Sequence, residues 1–145
     1  MVKNKRLFRK VSIIGLGLIG SSIALAIKRK NLAQVTSGYS RSLKTRNAAK
    51  KLKITDKIEN NIGNCVKDSD LVIICTHLNS YKSIFKKISP YLSGKTIVSD
   101  VGSAKESAIA SVEKFTQNKI NFVPAHPIAG TEKSGPSAGF AELFE

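Results

Sequence analysis

Five short apolar runs, rich in β-branched residues and bounded by turn formers, alternate along the chain with longer stretches whose apolar positions recur every three to four residues. The runs are VSIIG (Val11–Gly15), QVTSGY (Gln34–Tyr39), LVIIC (Leu71–Cys75), TIVSD (Thr96–Asp100) and NFVPA (Asn121–Ala125), and each predicts a strand. Helices are predicted between them over Ser21–Lys30, Ser42–Leu52, Ser80–Ile88 and Ala104–Phe115, with Ile84, Ile88, Ile109, Val112 and Phe115 at one-face spacing. This alternation implies right-handed βαβ units and a parallel sheet. The near-continuous apolar strands fit burial on both faces. Gly135–Gly139 reads as a loop leading to a further element, and no internal repeat or low-complexity segment interrupts the pattern.

The first strand runs straight into Gly15-Leu16-Gly17-Leu18-Ile19-Gly20, the G-x-G-x-x-G spacing of a dinucleotide-binding turn. Gly15 makes the tight turn, Gly17 lets the backbone approach a pyrophosphate, and Gly20 permits close packing of helix on strand. Leu18 and Ile19 open the helix whose N-terminal N–H groups and dipole favour the pyrophosphate charge. Taken with the four further strands at βαβ spacing, the motif predicts a single Rossmann-type, doubly wound α/β domain over residues 1–145.

At the end of the second strand, where an NAD site usually offers Asp or Glu to the ribose, the chain reads GYSRSLKTR. No carboxylate stands there to repel a 2'-phosphate. Arg41 can fork onto one, and Ser40 and Ser42 can donate to it, which favours NADP over NAD. The blander alternative makes Arg41 a solvated loop residue and Ser42 only the N-cap of the next helix.

Composition changes this picture little. The 145 residues are 41% hydrophobic and 23% charged, ordinary for a globular domain. The formal net charge of +14 invites an anionic partner, but five Arg and nine aromatic residues are scattered without a stripe, which argues against nucleic-acid binding. Cys65 and Cys75 have neither CxxC spacing nor a paired His, so reduced thiols are expected and no metal site. A basic start, KNKRLFRK, followed by the apolar Val11–Ile27 imitates a signal peptide. Three glycines break that run and Lys28, Arg29 and Lys30 close it, which argues against export or a membrane span and for a cytoplasmic protein.

Three further residues, His77, Ser103 and His126, lie just past strand ends, where an open parallel sheet binds its ligands. Ser103, with Glu106 three residues later, fits a capping box and also faces the expected crevice. His126 follows the last strand in a loop whose prolines and glycines restrict the backbone. Imidazole changes protonation nearest neutral pH, which suits it to take a proton from an alcohol being oxidised.

GLGLIGSS (Gly15–Ser22), DVGSAK (Asp100–Lys105) and HPIAGTEKSG (His126–Gly135) together resemble the prephenate and arogenate dehydrogenases of tyrosine biosynthesis, including the broad-specificity cyclohexadienyl dehydrogenases. The resemblance implies oxidative decarboxylation: hydride leaves the ring carbon bearing the 4-hydroxyl for the nicotinamide, the ring carboxylate departs as carbon dioxide, and aromatisation drives the step. It implies that His126 accepts the hydroxyl proton, that Ser103 orients His126 and the nicotinamide, and that Thr131, Glu132 and Ser134 shape the substrate pocket. Thr76 and His77 are then expected beside the nicotinamide ribose. His77 departs from the proline common there. Members with Ser-Arg after the second strand tend to accept NADP.

The resemblance also implies a C-terminal helical domain that dimerises the protein and supplies an arginine for the ring carboxylate, and the sequence ends at AELFE without one. Lys105 and Lys133 are the only basic residues in DVGSAK and HPIAGTEKSG. Cofactor binding with weak or no turnover is therefore expected of these residues alone. Another NADP-dependent reductase of like architecture, and a non-catalytic dinucleotide-binding module, are the alternatives.

Overall fold

The computed structural model describes residues 5–116 and 120–145. Lys3 and Asn4 of the basic start lie outside them. β1 (Phe8–Ile14), α1 (Leu18–Arg29), β2 (Ala33–Tyr39), α2 (Leu43–Lys51), β3 (Lys57–Ile58), α3 (Ile62–Val66), β4 (Leu71–Ile74), α4 (Tyr81–Ile88), β5 (Ile97–Asp100), α5 (Lys105–Thr116) and β6 (Asn121–Val123) follow in order. All strands are parallel in the order β3-β2-β1-β4-β5-β6, the doubly wound arrangement whose strand order reverses between β1 and β4. The decoy apolar run of the N-terminus divides into β1, the glycine turn and α1.

Alternate residues of each central strand feed opposite faces, which is why the strands read as continuously apolar. Val11, Ile13 and Ile73 pack with Ala24, Ile27 and Ala49 under α1 and α2. Ile14, Val72, Ile74 and Val98 pack with α3, α4 and α5 on the other face. α4 turns Tyr81, Ile84, Phe85 and Ile88 inward, and Phe85 stands edge-on to both Tyr81 and Phe122 of β6, with ring centroids 6.0 and 6.3 Å apart.

One expectation needs correction, and two elements are added to those expected. Ile109, read as a core position of the last helix, is 37% exposed; Ala108 and Val112 face the sheet instead, and β6 is its edge, so little strand surface covers the flank of α5. β3 and α3 were not foreseen, because two and five residues are too short to show a period. Asn61 secures α3 by accepting from the Asn64 N–H at 3.1 Å.

Asp70 stitches the opposite rim of the sheet. It accepts from the Arg9 and Lys10 backbone N–H groups at 2.6 and 3.3 Å and from the Arg9 guanidinium at 3.0 Å. Burial pushes its carboxyl up, but the Arg9 backbone and side-chain donors outweigh this and hold it below the ordinary carboxylate value. A depressed folded-state pKa contributes stability above the unfolded value of about 3.9 and loses it as pH falls through the folded value. Urea midpoints measured from pH 7 down to 2.5 should therefore fall less steeply at the acid end for Asp70→Asn, which starts from a lower midpoint at neutral pH.

Candidate functional site

Gly15, Gly17 and Gly20, Ser40–Ser42, Thr76 and His77, Ser103 and His126 follow the C-terminal ends of β1, β2, β4, β5 and β6 respectively. At the end of β1, Gly15 adopts φ +96°, and a Cβ there would stand 2.5 Å from the Cys75 carbonyl oxygen. A Cβ on Gly20 would stand 1.9 Å from the Gly15 carbonyl oxygen, so α1 sits directly on the turn. Gly17 is the opposite case. It has open space on its Cβ side, provides the N-cap position of α1 with no side-chain cap, and is followed by a first turn without acidic residues. Leu18 and Ile19 open that turn. The result is an accessible set of N–H donors at the positive end of a twelve-residue helix, which fits a pyrophosphate.

At the end of β2, Ser40 is half-buried, and Arg41 and Ser42 are exposed. The Ser42 hydroxyl caps α2, accepting from the Thr45 N–H at 3.2 Å. Arg46, not singled out from the sequence, braces this turn: its Nη1 donates to the Ser40 and Arg41 carbonyls at 2.6 and 2.9 Å, and its guanidinium lies 5.9 Å from the Tyr39 ring centroid. Arg41 makes no side-chain hydrogen bond or ion pair among the described residues. β3 brings a carboxylate to the neighbourhood after all, since the Glu59 N–H donates to the Gly38 carbonyl at 2.9 Å. Nothing in a two-residue strand announced it.

The ends of β4, β5 and β6 meet at one buried carboxylate. Asp100, the last residue of β5, is 0% exposed and pairs in register with Ile74. Its Oδ2 accepts from the Tyr81 hydroxyl at 2.8 Å and the Gly102 N–H at 3.0 Å. Its Oδ1 accepts from the Ala125 N–H at 3.2 Å, and Lys105 Nζ donates to both oxygens at 2.7 Å. Lys105 also donates to the Ala125 carbonyl. Burial, followed by the Asp100 hydrogen bond and charge, pushes the Tyr81 phenol far above its ordinary value, so it stays protonated and donates. Removing one member of a buried ion pair costs about 3–5 kcal/mol.

This cluster accounts for three of the six residues of DVGSAK. Asp100 is the acceptor, Lys105 its counter-ion, and Gly102 leaves room for Tyr81, whose hydroxyl would stand 2.8 Å from a Cβ at that position. Lys105 is therefore committed, and of the two lysines in DVGSAK and HPIAGTEKSG only Lys133 remains an exposed cation. The signal was present in the sequence: an acidic residue closing an apolar strand needs a partner, and Lys105 stands five positions on.

Ser103 does not form the expected capping box. α5 begins at Lys105, the Ala108 N–H bonds to the Ala104 carbonyl, and Ser103 lies outside the first turn with its hydroxyl unbonded among the described residues. Its neighbour Gly102 and the neighbour of His126, Ala125, are held by the same carboxylate, so the loops carrying the two residues leave one point. His126 itself is exposed. Thr76 is half-buried beside the Gly15 turn, and His77 is exposed and starts a 3₁₀ turn over Leu78–Ser80.

Beyond His126 the chain carries Ile128, 98% exposed, and the exposed Thr131, Glu132, Lys133 and Ser134. It then returns to α1, where Pro136 is buried, the Phe140 N–H donates to the Ser22 hydroxyl at 3.0 Å, and Arg29 pairs with Glu142 at 2.5 Å. The Gly135–Gly139 loop is thus a short 3₁₀ turn, Pro136–Ala138, against α1 and α2. Residues 126–134 thus connect the end of β6 to this contact with α1.

Residues 23–145 match the profile of the prephenate dehydrogenase nucleotide-binding domain. The chain is 40% identical to cyclohexadienyl dehydrogenase of Zymomonas mobilis over 95% of its own length and 47% of that protein's. It is 35% identical to prephenate dehydrogenase of Lactococcus lactis, over 94% of the chain and 39% of the relative. Among solved structures it is similar to Aquifex aeolicus prephenate dehydrogenase in complex with hydroxyphenyl propionate and NAD+, with a TM-score of 0.84 and 31% identity over 94% of this chain and 48% of that one. The chain thus spans about half, or less, of the length of these relatives.

Proposed function

We propose, for a chain that belongs to the nucleotide-binding domain family of prephenate dehydrogenases, that residues 1–145 are the dinucleotide-binding part of a prephenate or arogenate dehydrogenase. The observation that carries this reading is the convergence on one sheet edge of the uncapped α1 N-terminus at the β1/β4 reversal and the loops bearing Ser103 and His126. The reaction is oxidative decarboxylation of the cyclohexadienyl ring to an aromatic one.

A bound nicotinamide dinucleotide supplies the hydride acceptor. Gly15–Gly20 hold its pyrophosphate on the α1 N–H groups. Ser40, Arg41 and Ser42 receive its adenosine end, and Thr76 and His77 flank the nicotinamide ribose. His126 takes the proton of the 4-hydroxyl as carbonyl character develops there, and Ser103 orients it. Thr131, Glu132 and Ser134 belong to the loop that shapes the substrate pocket, with Lys133 available to a substrate carboxylate.

Arg41 directs the preference toward NADP. The Arg46 brace holds the turn without using the Arg41 guanidinium, which is left to meet a 2'-phosphate. Calorimetric titration with NADP and NAD at matched ionic strength tests this directly. A charge-assisted bond of about 1.5–3 kcal/mol predicts that Arg41→Ala weakens NADP about 10- to 100-fold and NAD little. Tighter binding of NAD by the unaltered protein would overturn the preference while leaving the family and the glycine turn in place.

A further inference from the structure

We infer that Asp100, held by Tyr81, is a positioning residue that sets the relative placement of Ser103 and His126; this rests on the roles proposed above for those two side chains. Ser103 and His126 sit on the loops that follow β5 and β6, and neither side chain has a bond among the described residues that fixes it. Their backbones are anchored one residue earlier, at Gly102 and Ala125, on the two oxygens of the Asp100 carboxylate.

Three elements outside those loops decide where that carboxylate sits. β5 delivers it, α4 restrains Oδ2 through the Tyr81 hydroxyl, and the first residue of α5, Lys105, grips both oxygens and the Ala125 carbonyl. Tyr81 is 1% exposed and seated against Phe85, so its hydroxyl has little freedom. With Ile74 as the register partner of Asp100 and α4 following directly from the Thr76–Ser80 turn, the β4 loop is tied to the same point. The candidate cofactor wall, proton acceptor and orienting hydroxyl thus share one rigid reference. A displacement of about 1 Å between reacting groups can cost 10²-fold in rate, so loosening this reference should be read in turnover and not in cofactor affinity.

The test uses the full-length protein with Tyr81→Phe and Asp100→Asn. Tyr81→Phe removes a single donor and keeps the ring that packs against Phe85, so it remains informative if Asp100→Asn does not fold. Two readouts are taken: kcat on prephenate and arogenate beside the dissociation constant of the cofactor, and amide hydrogen exchange across the chain. We expect kcat to fall about tenfold or more in Tyr81→Phe and further in Asp100→Asn, with cofactor affinity unchanged. Exchange should rise together at residues 101–104 and at Ala125, His126 and Ile128, while exchange across the Gly15–Gly20 turn does not change.

A folded Tyr81→Phe variant with unchanged kcat and unchanged exchange in both segments would overturn the inference. So would a loss of cofactor affinity that accounts for the rate, or a rise in exchange confined to one of the two segments. If the unaltered protein turns over neither substrate, the functional reading fails, and the exchange data alone decide whether Asp100 couples the two loops.

Discussion

His126→Ala should lower dehydrogenase turnover of the full-length protein by about 10²- to 10⁴-fold, the usual contribution of a positioned general acid or base, and leave cofactor affinity unchanged. The side chain is exposed and without hydrogen bonds among the described residues, so truncating it should alter stability by no more than about 0.5 kcal/mol. That combination separates a proton acceptor from a structural histidine, whose loss would appear in the melting temperature first. The decisive assay is steady-state turnover of prephenate and arogenate beside calorimetric titration of the cofactor. A variant that keeps its turnover would remove His126 from the reaction. The nearby Lys105 offers no substitute, since its ammonium is engaged by Asp100.

Gly20→Ala should damage the protein in a different way. A Cβ at 1.9 Å from the Gly15 carbonyl oxygen has no flexible neighbour to displace, because the obstacle is backbone. α1 would have to lift from the turn and take Ala24 and Ile27 out of their packing with β1. Overpacking of this kind costs about 1–3 kcal/mol and sometimes more, and in a domain of this size 3 kcal/mol corresponds to a fall in Tm of about 10 °C. Cofactor binding should fail with it. Gly17→Ala is the matched control: φ there is −81° and the Cβ meets open space, so the melting temperature should hold while affinity drops about tenfold or more, the methyl projecting where a pyrophosphate would lie. If both variants melted alike, the separation of packing glycine from ligand-facing glycine would be wrong.

The contrast between those two glycines shows how much of the site was legible. Spacing alone anticipated the tight turn at Gly15 and the close helix packing at Gly20, because a strand, a turn and a helix in immediate succession leave few geometries. Ser42 as an N-cap was equally readable, being a contact over three residues. Ser103 was not. The same pattern of serine and glutamate three apart predicted a capping box, but α5 starts two residues later, where Lys105 is drawn to Asp100.

The sequence by itself therefore determined the βαβ alternation, the glycine turn and the edge of the sheet at which Gly15–Gly20, Ser103 and His126 follow the strands. These follow from periodicity and from contacts a few residues apart. Only the tertiary structure decided which groups meet: Tyr81 with Asp100 nineteen residues on, Ala125 with Asp100 across twenty-five, and Phe140 with Ser22 across 118. It also supplied the Arg46 brace beneath Arg41 and the short β3 that brings Glu59 beside β2. An apolar period reports that a face is buried and is silent about its neighbours. Those are set by strand order, and strand order is a property of the whole folded sheet.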